Sequence, residues 1–340
     1  WYGPYPYPTI TLVDPAWEAG GSGGLEYPTF ITAGTQWWVP AANRGGVLGR
    51  SGPEGVTIHE FGHQYWQSVV ATNEFEEPWL DEGINSYSTA RVMAAAYGAS
   101  QSYLRLNQVP LPAYEWLGVA PLAQHQYARL GSIADRGQDR IWRRAWEFRS
   151  IFSYFVNSYP KSVSVLWQLE TELGEDVMAR LMRTYFQRWR FRHPDTRDFI
   201  EVAEEVSGRE LDWFFDQLLF GTGTLDYAVT EADSERLGFE AGVFDTPEGR
   251  ITREKAEMEE RREEAEEKDE DAGPYRTRVV IENKGTVEYP VDILVRFTDG
   301  SEVRERWDGS YRWVRFSYQR DAPLDRVVVD PEEKLFIDLN

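Results

Sequence analysis

This chain has four histidines, and two of them stand four residues apart with a glutamate after the first: His59-Glu60-Phe61-Gly62-His63. On a helix, residues i and i+4 share a face, so imidazoles at this spacing can reach one ion. Glu60 lies beside them and can hold a water at that ion. A catalytic zinc takes three protein ligands and keeps a fourth position open. Eighteen residues separate His63 from Glu82, which lies in Trp79-Leu80-Asp81-Glu82-Gly83 and completes a His-His-Glu set. There is no cysteine, so thiolate ligands, a thiol nucleophile and a disulfide framework are excluded. The expectation is one Zn2+ ion held by His59, His63 and Glu82. Taken alone, the five-residue motif also fits two histidines packed on a helix face, and it is the third ligand that argues for metal. His125 and His193 have ligand spacing to nothing and read as structural.

Two helices must present these ligands. Ser51 is placed to cap the first, with Pro53 and Glu54 in its first turn, and helical spacing continues over residues 56–70. The second is expected over 78–97, with Pro at its start and Gly98 as its stop signal. The loop between them is long enough to fold the helices side by side. Upstream, residues 9–13 are β-branched, a glycine-rich turn follows at 20–24, and 27–32 reads as extended, so a small sheet precedes the first helix. Downstream, 140–220 is helical, with segments at 143–154, 163–173, 176–189 and 212–220. His193-Pro194 and Ser207-Gly208 punctuate it, and its Trp and Phe residues at helical spacing read as core.

After Gly221 the pattern changes to short strands, at 225–230, 278–282, 291–297, 302–307, 312–318 and 326–329. Asp299-Gly300 and Asp308-Gly309 are hairpin signals. The fold class is therefore α+β in two domains. Residues 1–221 form a small sheet followed by a mainly helical part. Residues 222–340 form a β-sandwich with a charged insertion at about 250–273.

Composition narrows the partners. Apolar residues make up 41% and aromatic residues 14%, ample for a core. A net charge of −21 argues against nucleic acid, whose phosphates need clustered Lys and Arg. Between Glu254 and Asp271 there are 11 acidic and 4 basic residues, a stretch that reads as a solvated helix or loose insertion. No run of 18 apolar residues occurs, so no membrane segment is expected. The chain opens at Trp1 in an aromatic, proline-rich run, which reads as a piece of a longer precursor or a trimmed chain. An acidic, cysteine-free, arginine-rich composition fits a secreted or periplasmic location slightly better than the cytoplasm.

The spacing of His59, His63 and Glu82, together with Trp79-Leu80-Asp81-Glu82-Gly83, resembles the gluzincin aminopeptidases, the family of aminopeptidase N. Asp81 stands where that family's W-L-N-E-G has Asn. Gly23-Gly24-Leu25-Glu26-Tyr27 resembles the family's G-x-M-E-N motif, with Leu25 and Tyr27 departing and Glu26 kept. Tyr159-Pro160-Lys161-Ser162 resembles its Y-x-K-G. The likeness extends over residues 1 to about 221, and 275–340 is similar, less specifically, to the family's small third domain.

The resemblance implies a thermolysin-like catalytic domain with a C-terminal Ig-like sandwich, and a peptide substrate with a free N-terminus. Glu60 would be the general base, and Tyr159 the donor to the tetrahedral oxyanion, with Tyr154 its nearest competitor. Glu26 would grip the substrate's amino group, and the backbone at Gly23 and Gly24 would pair with extended substrate. Long members of the family begin with a large β domain, which would precede Trp1 here. An endopeptidase on the same scaffold and a non-catalytic zinc-containing scaffold protein are the alternatives. Side-chain preference, natural substrate and oligomeric state have no motif.

Overall fold

The structure, a computed structural model, describes residues 1–16, 18–19, 22–34, 52–97, 104–106, 109–111, 123–135, 137–247, 249–267 and 274–339. Ser51, Gly98, Gly20, Gly21 and the last part of the charged run, 268–273, lie outside the described residues. The chain divides into two compact units, Trp1–Thr224 and Leu225–Asn340.

In the first unit, Thr11–Val13 (β1), Gly24–Tyr27 (β2) and Phe30–Ala33 (β3) form a sheet in the order β1-β3-β2. The central β3 runs parallel to β1 and antiparallel to β2, and buries Ile31, Thr32 and Ala33. Residues 27–32, expected as one extended run, instead turn back on themselves. Tyr27 faces Phe30 across a two-residue loop of Pro28 and Thr29. Proline fixes the first loop residue near φ −65°. Thr29 takes φ 64°, a left-handed conformation usually signalled by Gly or Asn, which explains why the pattern missed the turn.

Helix Gly52–Gly62 (α1) follows. The structure ends it eight residues before the expected Val70, and the reason lies at Gly62. A Cβ there would land on the Asn85 side-chain oxygen, so the helix closes in on its neighbour at that point. Beyond it the amides of Ser68 and Val70 reach the carbonyls of His63 and Tyr65, both at 3.0 Å, and Gln67 takes φ 83°. Trp66, Val69 and Val70 are buried all the same, so apolar spacing that reads as helix buries these residues in turns instead.

Next comes a π-helical turn, Trp79–Gly83, running into Ile84–Tyr97 (α2). A short hairpin, Leu104–Leu106 (β4) with Val109–Leu111 (β5), precedes Gln124–Ser132 (α3). Ile151–Val156 (α4) leads into a second π-helical turn, Asn157–Lys161, and then Ser162–Leu173 (α5). The unit closes with Glu175–Trp189 (α6), Thr196–Ser207 (α7) and Asp212–Leu218 (α8). α6 buries Met178, Leu181, Met182, Tyr185 and Phe186, one stripe at helical spacing. α7 is capped by Asp195, whose carboxylate accepts from the Arg197 and Asp198 amides, and it ends at Gly208 with φ 68°.

The expected helix at 143–154 is a correction. Only a 3-10 turn, Ala145–Glu147, forms before α4 starts at Ile151. Asp139, fully buried, explains it: its carboxylate takes the Arg149 amide (3.0 Å), the Ser153 hydroxyl (2.6 Å) and the Arg143 guanidinium. Those bonds hold 143–149 as a loop wrapped around one buried charge.

The second unit contains Tyr227–Arg236 (β6), a hairpin of Gly242–Thr246 (β7) and Gly249–Arg253 (β8), and Lys255–Glu267 (α9). Tyr275–Asn283 (β9), Val291–Phe297 (β10), Glu302–Trp307 (β11), Trp313–Arg320 (β12) and Leu324–Val329 (β13) follow. Two three-stranded sheets, β11-β10-β13 and β12-β9-β6, make a β-sandwich. Its interior takes alternate residues of β9 (Val279, Ile281) and β10 (Val291, Ile293, Val295, Phe297). The charged run is helical as far as Glu267. Asp299-Gly300 joins β10 to β11 in a hairpin, with Gly300 at φ 83°. Asp308-Gly309 does not make the expected hairpin, because β11 and β12 belong to different sheets and the chain crosses between them. Gly309 has φ 76°, and a Cβ there would sit 2.6 Å from the Tyr289 carbonyl oxygen. No helix among the described residues is long and apolar enough to cross a membrane.

Candidate metal centre and cleft

The ligand atoms of His59, His63 and Glu82 lie within 4.8 Å of one another, as do those of Glu26, Glu60 and His63. His59 Nε2 is 3.1 Å from Glu82 Oε2 and 3.2 Å from His63 Nε2. One helical turn brings the two histidines together: His59 is near the end of α1, and the His63 amide still bonds the His59 carbonyl at 3.2 Å. Glu82 arrives on the π-helical turn before α2. π turns concentrate at functional sites because they re-aim one side chain within a rigid helix.

The second ring nitrogen of His63 faces a carboxylate. His63 Nδ1 is 2.7 Å from Asp81 Oδ1, and both side chains are almost wholly buried. A proton held there leaves Nε2 as a bare lone pair facing the other two donors. Two such nitrogens and a carboxylate oxygen repel unless a cation sits among them, so the donor set suits a divalent metal of the zinc class. In the polypeptide by itself, protons take the place of that cation. Burial alone would depress His63, but Asp81 and Glu82 hold its pKa well above the ordinary value. Burial likewise opposes the Glu82 charge, yet hydrogen bonds from His59 and His63 keep its pKa well below the usual carboxylate range.

Glu60 is buried beside this set, and its Oε2 has no hydrogen-bond partner among the described residues. Burial, with the charges of Glu26, Glu82 and Asp81 behind it, pushes its pKa up to about 7 against the pull of His63. Burial also raises the pKa of Glu26. Glu26 sits on β2, an edge strand of its sheet among the described residues. On the same strand, a Cβ at Gly24 would stand 2.7 Å from Glu60 Oε1, so a side chain there would displace the Glu60 carboxylate. Gly23 has open space around it, and its carbonyl takes the Gly34 amide at 2.7 Å.

Tyr159 comes from the second π-helical turn. Its ring stacks on His59 with centroids 6.0 Å apart. Burial first, then the charge of Glu82 and a hydrogen bond to it, raise its pKa far above that of a free phenol. Tyr154, one turn earlier, packs its ring against Phe148 and Phe155. The two π turns touch: a Cβ on Gly83 would be 2.5 Å from the Ser162 Cβ and 3.1 Å from the Ser158 carbonyl oxygen. Gly83 thus sets how near Glu82 and Tyr159 can come.

Sequence reasoning missed the residues that hold the ligands. Asp81 was visible only as a departure from a motif. Asn85, fully buried, donates to the His59 carbonyl at 2.7 Å and ties α1 to α2. Helical arithmetic could have found it, since Asn85 lies three residues after Glu82. His125 stacks flat on Trp167 (4.0 Å, 9°), and His193 Nδ1 meets the Ala71 carbonyl at 2.8 Å, both away from the cluster.

A cavity of about 560 Å³ opens beside His59, Glu60 and Tyr159. Its walls are mostly apolar, from Val56 on α1, Ala90 on α2, Ala128 on α3, and Phe155, Val156 and Val163 beyond. Glu26 does not line it. Phe152 and Phe155 stand more than half exposed at its edge.

Residues 1–218 match the peptidase family M1 domain. Aminopeptidase N of Streptomyces lividans is 26% identical over 157 residues, which is 45% of this chain and 17% of that protein. Aminopeptidase 2 of Candida albicans is 24% identical over 208 residues, 61% of this chain and 21% of that protein. The chain thus spans about a fifth of the length of these curated relatives. Among solved structures, the aminopeptidase A of Legionella pneumophila superposes with a TM-score of 0.53, covering 97% of this chain and 31% of that one. At 13% identity this is a likeness of fold.

Proposed function

This chain belongs to peptidase family M1, and from that premise we propose that it is a zinc aminopeptidase, releasing residues from the free amino end of peptides. The observation that carries the reading is the double convergence at His63: one trio with His59 and Glu82, the other with Glu26 and Glu60, each within 4.8 Å. One trio suits the metal and the other places two carboxylates beside it. His59, His63 and Glu82 would hold a single zinc ion, which when bound supplies Lewis acidity toward water and toward a peptide carbonyl.

The remaining chemistry belongs to the side chains. Glu60 accepts the proton of the attacking water and returns it to the leaving amine. The Tyr159 hydroxyl, kept protonated by its surroundings, donates to the oxyanion. Glu26 pairs with the substrate ammonium and so limits cutting to the first bond. The outer edge of β2, opened by Gly23 and Gly24, receives extended substrate as an added strand. His59 and Glu60 line the apolar cavity and Glu26 does not, and we assign that cavity to the side chain after the scissile bond. The substrate class is therefore a peptide with a free amine and a large apolar second residue.

The test is Glu60→Gln. It should leave one zinc per chain while lowering turnover by about 10²- to 10⁴-fold, the usual worth of a positioned general base. Turnover that survives the change would sink the scheme.

A further inference from the structure

Gln64 directly follows the second histidine of the zinc motif, is fully buried, and has had no role so far. Its side chain is spent entirely on the hairpin that carries Glu26. Gln64 Oε1 accepts the Thr29 amide at 2.8 Å, and Gln64 Nε2 donates to the Tyr27 carbonyl at 3.1 Å. These two groups flank the loop residue Pro28, and Glu26 is the residue before Tyr27.

The turn needs such a partner. Thr29 holds φ 64°, where a β-branched residue is strained and persists only when its surroundings over-determine it. The surroundings do so from two sides. The Thr11 amide on β1 bonds the Thr29 carbonyl at 2.8 Å, and Gln64 takes the Thr29 amide and the Tyr27 carbonyl. A shorter or more relaxed turn would shift β2 along its edge, and with it the Glu26 carboxylate.

We propose that Gln64 is a positioning residue which clamps the Tyr27–Phe30 turn to the metal-binding segment, and so fixes the distance between Glu26 and Glu60. It is the part of the site that measures one residue from the substrate's amine. Residues 63 and 64 then serve two ends of one device: His63 faces the metal ligands, and its neighbour holds the strand bearing the amine anchor. This inference rests on the proposed role of Glu26.

The experiment compares the wild-type chain, Gln64→Met, and Gln64→Met with Thr29→Gly. Methionine keeps the length and loses both bonds; glycine removes the strain at φ 64°, so the turn can stand without its clamp. Two readouts are taken on zinc-loaded protein. The first is deuterium uptake over 25–33. Gln64→Met should exchange at least about tenfold faster there, and Thr29→Gly should restore protection, with uptake over the metal-binding helices unchanged. The second is kinetics on a free-amine tripeptide and its acetylated twin. Gln64→Met should raise KM for the free peptide about tenfold or more with kcat within about twofold, and Thr29→Gly should recover it. Should Gln64→Met fail to fold, Gln64→Glu, which keeps the acceptor for Thr29 and loses the donor, is read the same way.

Unchanged exchange and KM would overturn the clamp. Loss of zinc, with kcat falling equally on both peptides, would also overturn it, showing that Gln64 merely supports His63. A wild-type chain that cuts both peptides alike would instead overturn the Glu26 reading beneath it, while the exchange data would still report whether Gln64 holds the turn.

Discussion

Replacing Asp81 with Asn should weaken zinc binding without disturbing the fold. The two side chains have the same shape, and an amide oxygen can still accept the His63 Nδ1 proton across 2.7 Å. What disappears is a buried negative charge, together with the charge-assisted character that makes such a bond about twice as strong as a neutral one. Substitutions of groups that orient a metal-bound histidine typically cost 10- to 100-fold in metal affinity. Because Asn keeps the bond, Asp81→Asn belongs at the low end, about tenfold, or ~1.4 kcal/mol. Asp81→Leu removes the acceptor as well and belongs near 100-fold or beyond, ~2.7 kcal/mol. The assay is competition for zinc against a chromogenic chelator at fixed pH, on the metal-free protein, with no peptide present. The expected order is wild type, then Asn, then Leu. Affinities within about twofold of one another, or Leu binding more tightly than Asn, would refute the reasoning that Asp81 sets the His63 tautomer and basicity.

Two further outcomes test other parts of the site. Ala128→Trp, which fills the apolar cavity, should lower kcat/KM for peptides with Phe as second residue by about 10- to 200-fold relative to those with Gly, the usual range for a hydrophobic pocket. Equal losses on both would show that the cavity does not read that side chain. His125 makes stability depend on acid: burial, then the charge of Arg91, push its pKa down to about 4. In the unfolded chain it titrates near 6.5, so as pH falls from about 6.5 to 4 the unfolded state takes up a proton that the native state refuses. Stability is therefore lost as pH falls through that window, by on the order of 1–2 kcal/mol once solvent screening of a partly exposed ring is allowed for. Chemical denaturation of wild type and His125→Phe at pH 7 and 4.5 checks it: the stability difference between them should change across this range, and a constant difference would contradict the buried neutral ring.

The histidine donors were legible because their geometry is local. His59 and His63 are one helical turn apart, which spacing alone shows, while Glu82 joins them only because the next helix packs against the first. What spacing did not show was the shape of the supports. Apolar periodicity through Trp66, Val69 and Val70 cannot tell a buried helix from a buried turn, and the close approach of Asn85 to Gly62 decided for the turn. The π turn at Trp79–Gly83 was hidden because it carries an ordinary helix-compatible pattern, whereas Pro160 made Asn157–Lys161 read as a break between helices. The loop around Asp139 looked helical because one buried carboxylate, a long-range feature, overrides the local preference of 143–149. The hairpin at Pro28-Thr29 was invisible because a threonine occupies a position that normally announces itself with Gly or Asn. It is held by the Thr11 amide and by Gln64, 35 residues from Thr29.

The most direct test of the central claim is cleavage of two matched peptides, one with a free amine and one acetylated, before and after chelation of the chain as it stands. Cutting of the free peptide alone, abolished by chelation and restored by zinc, is the expected result. Cutting of both peptides would contradict the amine anchor at Glu26, and cutting that survives chelation would contradict the metal centre itself.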